Sequence, residues 1–291
     1  MEAVAELQEI ATMITPQPGL FPGVDALTYH RWAGASQSRL KIMRDHTPAH
    51  VRWTMDHPDE PTDAMRLGAA VHTAVLEPDL FPVLYKRGIP GDGRTKAVQE
   101  ARNALKAEFP GATILKPDDF AVCLAVRDAV AAHPHTKHLL EGERECSAVW
   151  RDEATSVLCR GRFDDIARGI GAITDLKTTK DASPFRFPAF IYQYGYHIQG
   201  AMYLRGAKAL GIDADSFAIV AVEKEPPFAV AVYQLAGAAI YDGTRELEPL
   251  LERWAECEAT GEWPGYPTDI VLLDLPTWAP KQITDRIGED A

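Results

Sequence analysis

Three charged residues near the middle of the chain have the types and the spacing that phosphodiester hydrolysis requires. Asp164 is followed eleven residues later by Asp175-Leu176-Lys177. Side chains two residues apart share one face of a strand, so Asp175 and Lys177 would point the same way and Leu176 toward the packed side. Carboxylate oxygens suit Mg²⁺ and Mn²⁺, and a lysine beside them stabilises charge on an attacked phosphate. The spacing therefore predicts a metal-dependent hydrolytic site.

A symmetric hairpin would place the two aspartates across from each other. The turn Arg168-Gly169-Ile170-Gly171 between the two runs contains glycines, which accept positive φ. Like charges directly across a sheet repel, so a cation is expected between them. The alternative is an acidic hairpin with a surface lysine, but Asp175 lies inside a predicted strand, where Asp is disfavoured. Asp165 competes with Asp164 as the first carboxylate, because adjacent residues face opposite ways.

The composition is that of a folded protein with a sizeable core. Of its 291 residues, 46% are hydrophobic, which is enough for one large domain or two small ones. No run approaches the ~20 apolar residues needed to cross a bilayer, and the acidic start lacks the order of a signal peptide. The four cysteines show no paired spacing that would suggest zinc or an iron–sulfur cluster. We therefore expect a cytoplasmic protein with reduced thiols and no membrane association.

The charge of the chain is strongly acidic. The net charge is −12 and the isoelectric point is about 5.2. This counts against an ordinary nucleic-acid binder, whose surface is usually basic. It is compatible with a nuclease that gathers its cations in one channel and brings a divalent metal to the phosphate. Such a protein would bind DNA weakly without metal and with a steep dependence on salt.

Two periodicities divide the chain. Helical spacing of apolar residues predicts helices after the N-cap Ser36, from Ala64 to Leu76 behind the cap Asp63, and over 97–108 and 117–132. Alternating polarity predicts three antiparallel strands: Ser147–Arg151, Ser156–Ala167 and Ala172–Thr179. The C-terminal part of the chain is predicted to begin with a long helix over Phe190–Leu210. A hairpin of Ser216–Glu223 and Phe228–Leu235 around Pro226-Pro227 follows, and then a last helix over Ala238–Thr260.

This order of elements predicts the fold class. Helices that precede a strand cluster, and a long helix that leads to more strands, indicate an α/β or α+β fold with one central mixed sheet flanked by helices. We predict an N-terminal helical extension on this core. Residues 1–25 are expected to form a loosely attached lead with a short helical stretch, 26–270 a single domain, and 271–291 a proline-rich tail that wraps the surface.

Three further polar residues lie where they would complete a site. Gln199 and Tyr203 are four residues apart and share a helical face, which Gly200 would let approach the sheet. The alternative is an ordinary polar edge of a helix. His72 lies beside an apolar helical stripe, where a histidine is more often a satisfied core residue, although a neutral imidazole is also a good metal ligand.

Two basic segments are candidates for contact with phosphates. The first is a helix start with two serines and two basic residues: Ser36, Ser38, Arg39 and Lys41. Helix starts bind anions, but ordinary capping with a solvated face explains these residues equally well. The second is a glycine-containing loop with Arg94 and Lys96, which suits DNA or any mobile surface loop. Arg162, two residues before Asp164, is predicted as a further DNA contact.

Together these motifs resemble the PD-(D/E)XK nuclease superfamily, and more narrowly the RecE-like exonuclease VIII branch of phages and prophages. The resemblance rests on three motifs: Gly161-Arg162-Phe163-Asp164, Asp175-Leu176-Lys177-Thr178-Thr179, and a helix with Gln199 and Tyr203. Further matching stretches are 29–41, 68–78, 181–183 and 196–199. The similarity covers roughly residues 25–240.

The resemblance implies a restriction-endonuclease-like core and a Mg²⁺-dependent exonuclease in which Mn²⁺ substitutes. The implied metal ligands are His72, Asp164, Asp175 and the main-chain carbonyl of Leu176. Lys177 would position or activate the attacking water and stabilise charge on the phosphate. Gln199 and Tyr203 would complete the catalytic set.

The resemblance also implies a biological role. Members degrade linear double-stranded DNA from the 5′ end and leave 3′ tails for recombination by strand annealing. The expected partners are DNA ends, a RecT-like single-strand annealing protein and further copies in a ring-like homo-oligomer, in the cytoplasm of a bacterial host cell. Two other classes stay open: an endonuclease on the same core, and a non-catalytic module that binds DNA or a recombination protein.

Overall fold

The computed structural model describes residues 14–57, 60–92 and 94–287. Its strands are β1 (Gly19–Phe21), β2 (Tyr85–Arg87), β3 (Thr113–Leu115), β4 (Glu143–Arg151), β5 (Leu158–Ala167), β6 (Ala172–Thr179), β7 (Ser216–Glu223) and β8 (Val230–Gln234). Six of them form one sheet in the order β1-β4-β5-β6-β7-β8, and β2 pairs with β3 in a second, parallel sheet. Neighbours in the large sheet are antiparallel except β6 and β7, which are parallel.

Helices surround this sheet. Before β4 they are α1 (Ala26–His30), α2 (Gln37–Asp45), α3 (Pro48–Asp56), α4 (Asp63–Leu76), α5 (Phe81–Leu84), α6 (Lys96–Glu108), α7 (Pro117–Ala132) and α8 (Thr136–Leu139). Between β6 and β7 come α9 (Phe187–Tyr194) and α10 (Tyr196–Ala209), which make the crossover that two parallel strands need. After β8 follow α11 (Gly237–Thr260) and α12 (Ala279–Ile287). The predicted mixed α/β fold with a central sheet flanked by helices is confirmed.

Both faces of the sheet are buried. On one face, α2, α10 and α11 pack against strand residues such as Phe163 and Ile219. On the other face, α4 and α7 pack against Leu176 and Val220. Leu176 is fully buried, as the alternation in Asp175-Leu176-Lys177 predicts. Apolar burial on both sides therefore fixes the strands on which the charged residues lie.

Helix α10 approaches the sheet closely because glycines face the strands. A Cβ placed on Gly206 would come within 2.9 Å of the buried Trp150 ring, and one on Gly200 within 3.0 Å of the Phe217 ring. Any side chain at these two positions would push the helix outward. The close approach brings the side chain of Gln199 within reach of the strand that carries Asp175.

The prediction of one helix over Phe190–Leu210 is wrong, because the segment forms two helices that meet at Gly195. This glycine has φ of 71°, in the left-handed region that ends a helix. A Cβ there would lie 3.0 Å from the Arg44 guanidinium. The break gives α10 a new direction and places Tyr196 at its first position.

Several predicted boundaries also move. The strand predicted to begin at Ser147 begins at Glu143, and the one predicted from Ser156 begins at Leu158. Ser36 caps α2 as predicted, accepting from the Arg39 N–H. The cap of α4 is Thr62 rather than Asp63, because the Thr62 hydroxyl accepts from the Met65 N–H.

The two ends of the described chain differ from the prediction. The helical stretch predicted in the lead lies before residue 14, outside the described residues. Residues 19–21 are not loosely attached, because they form β1 against β4. The tail does not wrap the surface, since Leu272 is 99% and Leu273 84% exposed and α12 follows. The division at residues 25 and 270 stays a prediction. No helix in the described ranges has the length and apolar character to cross a bilayer.

Candidate active site

The two aspartates lie where the β5–β6 ladder ends. Its last pair is Asp165 with Thr174, so Asp164 and Asp175 are next in register, as the symmetric hairpin predicts. Asp164 Oδ2 accepts a hydrogen bond of 2.7 Å from the main-chain N–H of Leu176. The Asp164 side chain therefore accepts from a main-chain N–H of β6 just beyond the last residue pair of the β5–β6 ladder. Both carboxylates are buried.

Two more potential ligands converge on Asp164 from other elements. His72 extends from α4, and its Nδ1 lies 3.6 Å from Asp164 Oδ2. Glu145 lies on β4, where the pairs on either side of it place it opposite Asp164. Its Oε1 is 4.0 Å from His72 Nδ1. One ligand atom from each of these three residues lies within 4.8 Å of the others.

Lys177 is held beside this cluster. Its Nζ lies 2.6 Å from Asp175 Oδ2, as an ion pair rather than an aligned hydrogen bond, and 5.0 Å from the centre of the Tyr196 ring. The side-chain amide of Gln199 donates a hydrogen bond of 2.6 Å to Asp175 Oδ1. Gln199 thereby holds the carboxylate in the orientation that directs its other oxygen to Lys177.

Burial and charge shift the ionisation of these groups. Burial, followed by the nearby Asp175 and Glu145 carboxylates, raises the pKa of Asp164 well above its ordinary value. Burial lowers the pKa of His72, which favours the neutral imidazole that binds metals. Burial also opposes the charge on Lys177, but Asp175 and Asp164 together outweigh it and raise the lysine pKa. The site therefore contains a protonated amine near Asp164, a carboxyl whose charged form is disfavoured by burial and by neighbouring acids.

The cluster fits a divalent cation. Its donor set is one imidazole nitrogen and carboxylate oxygens on two strands, with the Asp175 carboxylate next in register. Asp175 Oδ2 is buried and faces the Lys177 ammonium at 2.6 Å. Acids on three adjacent strands repel one another unless positive charge lies between them. His72, Glu145 and Asp164 are thus the residues that could hold a divalent cation, with Asp175 beside them.

Glu145 is absent from the ligands predicted above, and the strand boundary explains why. The prediction starts the strand at Ser147, which leaves Glu145 in a loop. With β4 beginning at Glu143, the register itself puts Glu145 next to Asp164. Its backbone has φ of 50°, a conformation that is costly for a side-chain-bearing residue. Its carboxylate also pairs with Arg162, the residue predicted as a DNA contact.

Comparisons with known proteins bear on the family and the fold. Residues 36–274 match the model of a family described as a PDDEXK-like domain of unknown function (DUF3799). The chain belongs to this PDDEXK-like family. No curated protein matches the sequence.

A solved structure shares the fold of this PDDEXK-like domain. It is a protein from Eubacterium rectale that is provisionally described as an exonuclease. The TM-score is 0.55 over 88% of this chain and 93% of that chain, at 15% sequence identity. The family and the fold support a nuclease, and the RecE-like branch stays a prediction.

Three predicted residues have defined places in the PDDEXK-like domain. The Tyr203 hydroxyl donates to the main-chain carbonyl of Arg162 at 3.1 Å, so it braces β5 next to Asp164. The main-chain N–H of Leu176 donates to Asp164, so the backbone of this residue lies beside the cluster, and its carbonyl as a metal ligand stays a prediction. Asp165 faces away from the cluster and accepts from the Gly142 N–H at 2.9 Å, and burial raises its pKa to about 6. Asp164, not Asp165, is the carboxylate at the site.

The serines and arginine at the start of α2 have structural partners. The Ser36 and Ser38 hydroxyls are 3.0 Å apart, and Ser36 is buried. Arg39 donates to the main-chain carbonyl of Gly34 at 2.6 Å, and burial followed by the nearby Arg160 lowers its pKa to about 10. The guanidinium is therefore engaged with the main chain. DNA binding by these three residues stays a prediction.

The other predicted DNA contacts lie in two places. Lys41 lies on α2 with its Nζ 5.4 Å from the centre of the Tyr194 ring, and Arg162 is joined to the cluster through Glu145. Arg94 and Lys96 are exposed and pair with Asp92 and Glu100 on their own segment. Of these four residues, Arg162 contacts a residue of the cluster, and Lys41 contacts the end of α9. All four stay predictions as DNA contacts.

Proposed function

We propose that this PDDEXK-like domain is a Mg²⁺-dependent exodeoxyribonuclease of the RecE-like exonuclease VIII branch, with Mn²⁺ able to substitute. It would degrade linear double-stranded DNA from the 5′ end and leave 3′ single-stranded tails. The observation that carries the proposal is the convergence of His72, Glu145 and Asp164 beside the Asp175–Lys177 ion pair. The fold and the family support hydrolysis of DNA, and the motif resemblance supports the exonuclease branch.

The metal would be held by His72, Glu145 and Asp164, with Asp175 and the Leu176 carbonyl beside them. When bound, a divalent cation supplies positive charge next to the phosphate and makes water a better nucleophile. The protein contributes the arrangement of the ligands. Register places the two acids of β4 and β5 side by side, and packing of α4 on the sheet adds the histidine.

Lys177 supplies the fixed positive charge of the reaction. Its ammonium group is anchored by Asp175 and lies against the Tyr196 ring, so it stays in place before DNA binds. A preorganised cation stabilises the charge that develops on the attacked phosphate without reorganising in the transition state. Gln199 acts indirectly, by holding Asp175 in the orientation that this ion pair needs.

The biological role follows from the chemistry of the product. A 3′ single-stranded tail is the substrate of a single-strand annealing protein, so we propose a RecT-like partner in the cytoplasm of a bacterial host cell. We also propose a ring-like homo-oligomer that encloses the DNA. Light scattering of the purified protein tests the oligomer, and co-purification with such an annealing protein tests the partner.

Digestion of two DNA substrates tests the activity. Linear duplex and covalently closed circular duplex are incubated with Mg²⁺ and either the wild type, Asp175→Asn or Asp118→Asn. Asp118 is an exposed acid at the start of α7 and serves as the matched control. We expect the wild type and Asp118→Asn to degrade only the linear form. Asp175→Asn should lose nearly all turnover, because Lys177 loses its charged partner.

Each other outcome changes the conclusion. Cutting of the closed circle would point to an endonuclease on the same core. No cutting of either substrate with Mg²⁺ or Mn²⁺, and no metal binding by calorimetry, would favour the non-catalytic module. Full activity in Asp175→Asn would disprove the assigned site. Release of label from 5′-labelled rather than 3′-labelled ends would establish the proposed polarity.

A further inference from the structure

An aromatic side chain is presented to solvent directly after the strand that carries Lys177. The β6–α9 loop comprises residues 180–186, and its Phe185 is 90% exposed. Burial of a phenylalanine stabilises a fold by about 1.5–3 kcal/mol, and this exposed ring contributes almost none of that. The position of the ring is therefore not explained by packing of the described chain.

The loop that presents this ring is firmly held. The Ala182 N–H donates to Glu223 Oε1 at 2.9 Å, and the Tyr233 hydroxyl donates to the Ala182 carbonyl. The Ser183 N–H donates to Asp181 Oδ1 at 2.8 Å. Ala182 itself is buried. These contacts fix the loop backbone on β7 and β8, so the exposed ring stands on a rigid support.

The loop is also joined to the active site by ring contacts. Phe187, two residues after Phe185, is fully buried and lies 6.4 Å from the Tyr196 ring, centre to centre. The Tyr196 ring lies 5.0 Å from Lys177 Nζ. The strand β6 ends two residues after Lys177, at Thr179, so the loop leaves the same end of the strand that carries the lysine.

The charge of the loop suits a nucleic acid. Lys180 and Arg186 stand on either side of Phe185 in the chain, and both are exposed. The carboxylate of the loop, Asp181, is turned to Ser183. Exposed aromatic rings with flanking cations are how proteins bind unpaired nucleotides, because every base has a face on which a ring stacks. The two acids at the loop, Asp181 and Glu223, each accept a hydrogen bond from a loop N–H group.

We infer that the β6–α9 loop binds the unpaired end of the DNA substrate, with Phe185 stacked on a base and Lys180 and Arg186 against the adjacent phosphates. The loop would then select DNA whose terminal nucleotides are frayed or single-stranded. The inference rests on the proposed function, since it requires DNA in the neighbouring site. It goes beyond that function by naming the part of the substrate that the loop recognises.

Binding of a fluorescent DNA end tests the inference. The probe is a duplex with two unpaired terminal nucleotides, one of them 2-aminopurine, measured with Ca²⁺ in place of Mg²⁺. We expect the wild type to quench the probe by stacking, and Phe185→Ala to bind about 5- to 100-fold more weakly with the quenching lost. Phe185→Tyr should retain both. A fully paired probe should be affected less by Phe185→Ala.

A matched control excludes a general effect of removing an aromatic ring. Tyr241 is 65% exposed and lies near Arg245, but it is on α11, away from the catalytic strand. Tyr241→Ala should bind and quench as the wild type does. Thermal unfolding of Phe185→Ala should be unchanged, because the ring it removes is exposed.

The possible results separate this inference from the proposed function. If the wild type binds the probe and Phe185→Ala binds and quenches equally, the loop assignment is wrong and the nuclease proposal stands. If Phe185→Ala weakens paired and unpaired probes alike while quenching persists, stacking on a base is disproved. If the wild type neither binds nor cuts DNA, both proposals fail.

Discussion

Asp164 is the residue on which the candidate site converges. It contacts His72, lies in register with Glu145 and Asp175, and accepts the main-chain N–H of Leu176. Its burial among other acids disfavours the charged form that a metal needs. Without a cation, this arrangement lowers stability, as is common for functional sites.

Asp164→Asn is expected to separate stability from activity. The amide keeps an oxygen for the Leu176 N–H and removes one of the repelling charges, so in EDTA at neutral pH the variant should be more stable by about 0.5–2 kcal/mol. Urea unfolding measures this difference. Nuclease activity should be abolished, because the amide is a poor ligand for a divalent cation.

Added metal provides the control for this prediction. Mg²⁺ or Mn²⁺ should raise the unfolding temperature of the wild type, since a ligand that binds the folded state stabilises it. The variant should show little of this increase. A variant that is less stable than the wild type in EDTA would contradict the account of repelling carboxylates.

At the scale of elements, α10 connects the packing of the fold to the site. Gly206 and Gly200 let the helix approach the sheet, and the break at Gly195 sets its start beside Lys177. Gln199 reaches Asp175 only because the helix lies this close. The geometry of the site thus depends on glycines that take no part in chemistry.

Two alanine substitutions test the role of close packing. Gly206 and Gly68 are both helical, but a Cβ at Gly206 would meet Trp150 whereas one at Gly68 meets nothing within 4 Å. Alanine improves helix propensity by about 1 kcal/mol at either position. Overpacking should make Gly206→Ala less stable than Gly68→Ala by about 1–3 kcal/mol in urea unfolding. Equal stability of the two variants would show that α10 does not depend on this contact.

At the scale of the whole molecule, the acidic surface makes DNA binding depend on local cations. With a net charge of −12, the proposed nuclease would have to hold DNA through a few basic residues and the metal. Lys41 on α2, near the junction of α9 and α10, is predicted to be one such residue. The dependence of affinity on salt reports how many phosphates the protein neutralises.

Lys41→Ala is expected to reduce this salt dependence. Removal of one phosphate contact should lower the slope of log K against log salt by about 0.9 for duplex DNA. Binding is measured over a series of NaCl concentrations with Ca²⁺ present. Lys116→Ala serves as the comparison, since Lys116 is an exposed cation that pairs with Asp63 and is not among the predicted DNA contacts. An unchanged slope in Lys41→Ala would exclude Lys41 as a phosphate contact.

The local sequence predicts much of the fold but misses boundaries that depend on contacts. The strands around Asp164 and Asp175 and the cap at Ser36 follow from periodicity and side-chain chemistry within a few residues. The break at Gly195 is missed because apolar spacing continues through it, and glycine inside a helical pattern is ambiguous. The start of β4 at Glu143 is missed because polar residues there pair with β5 rather than alternate with apolar ones.

The sequence by itself determined the pair of acids and the lysine, because positions two apart on a strand share a face and a short hairpin sets its own register. Only the tertiary structure decided that Glu145 and His72 join Asp164, since their elements meet through sheet register and through packing of α4 on the sheet. It alone also showed that the loop carrying Phe185 is hydrogen-bonded to β7 and β8. Residue spacing determines local geometry, whereas contacts between distant segments depend on how the whole chain buries its apolar surface.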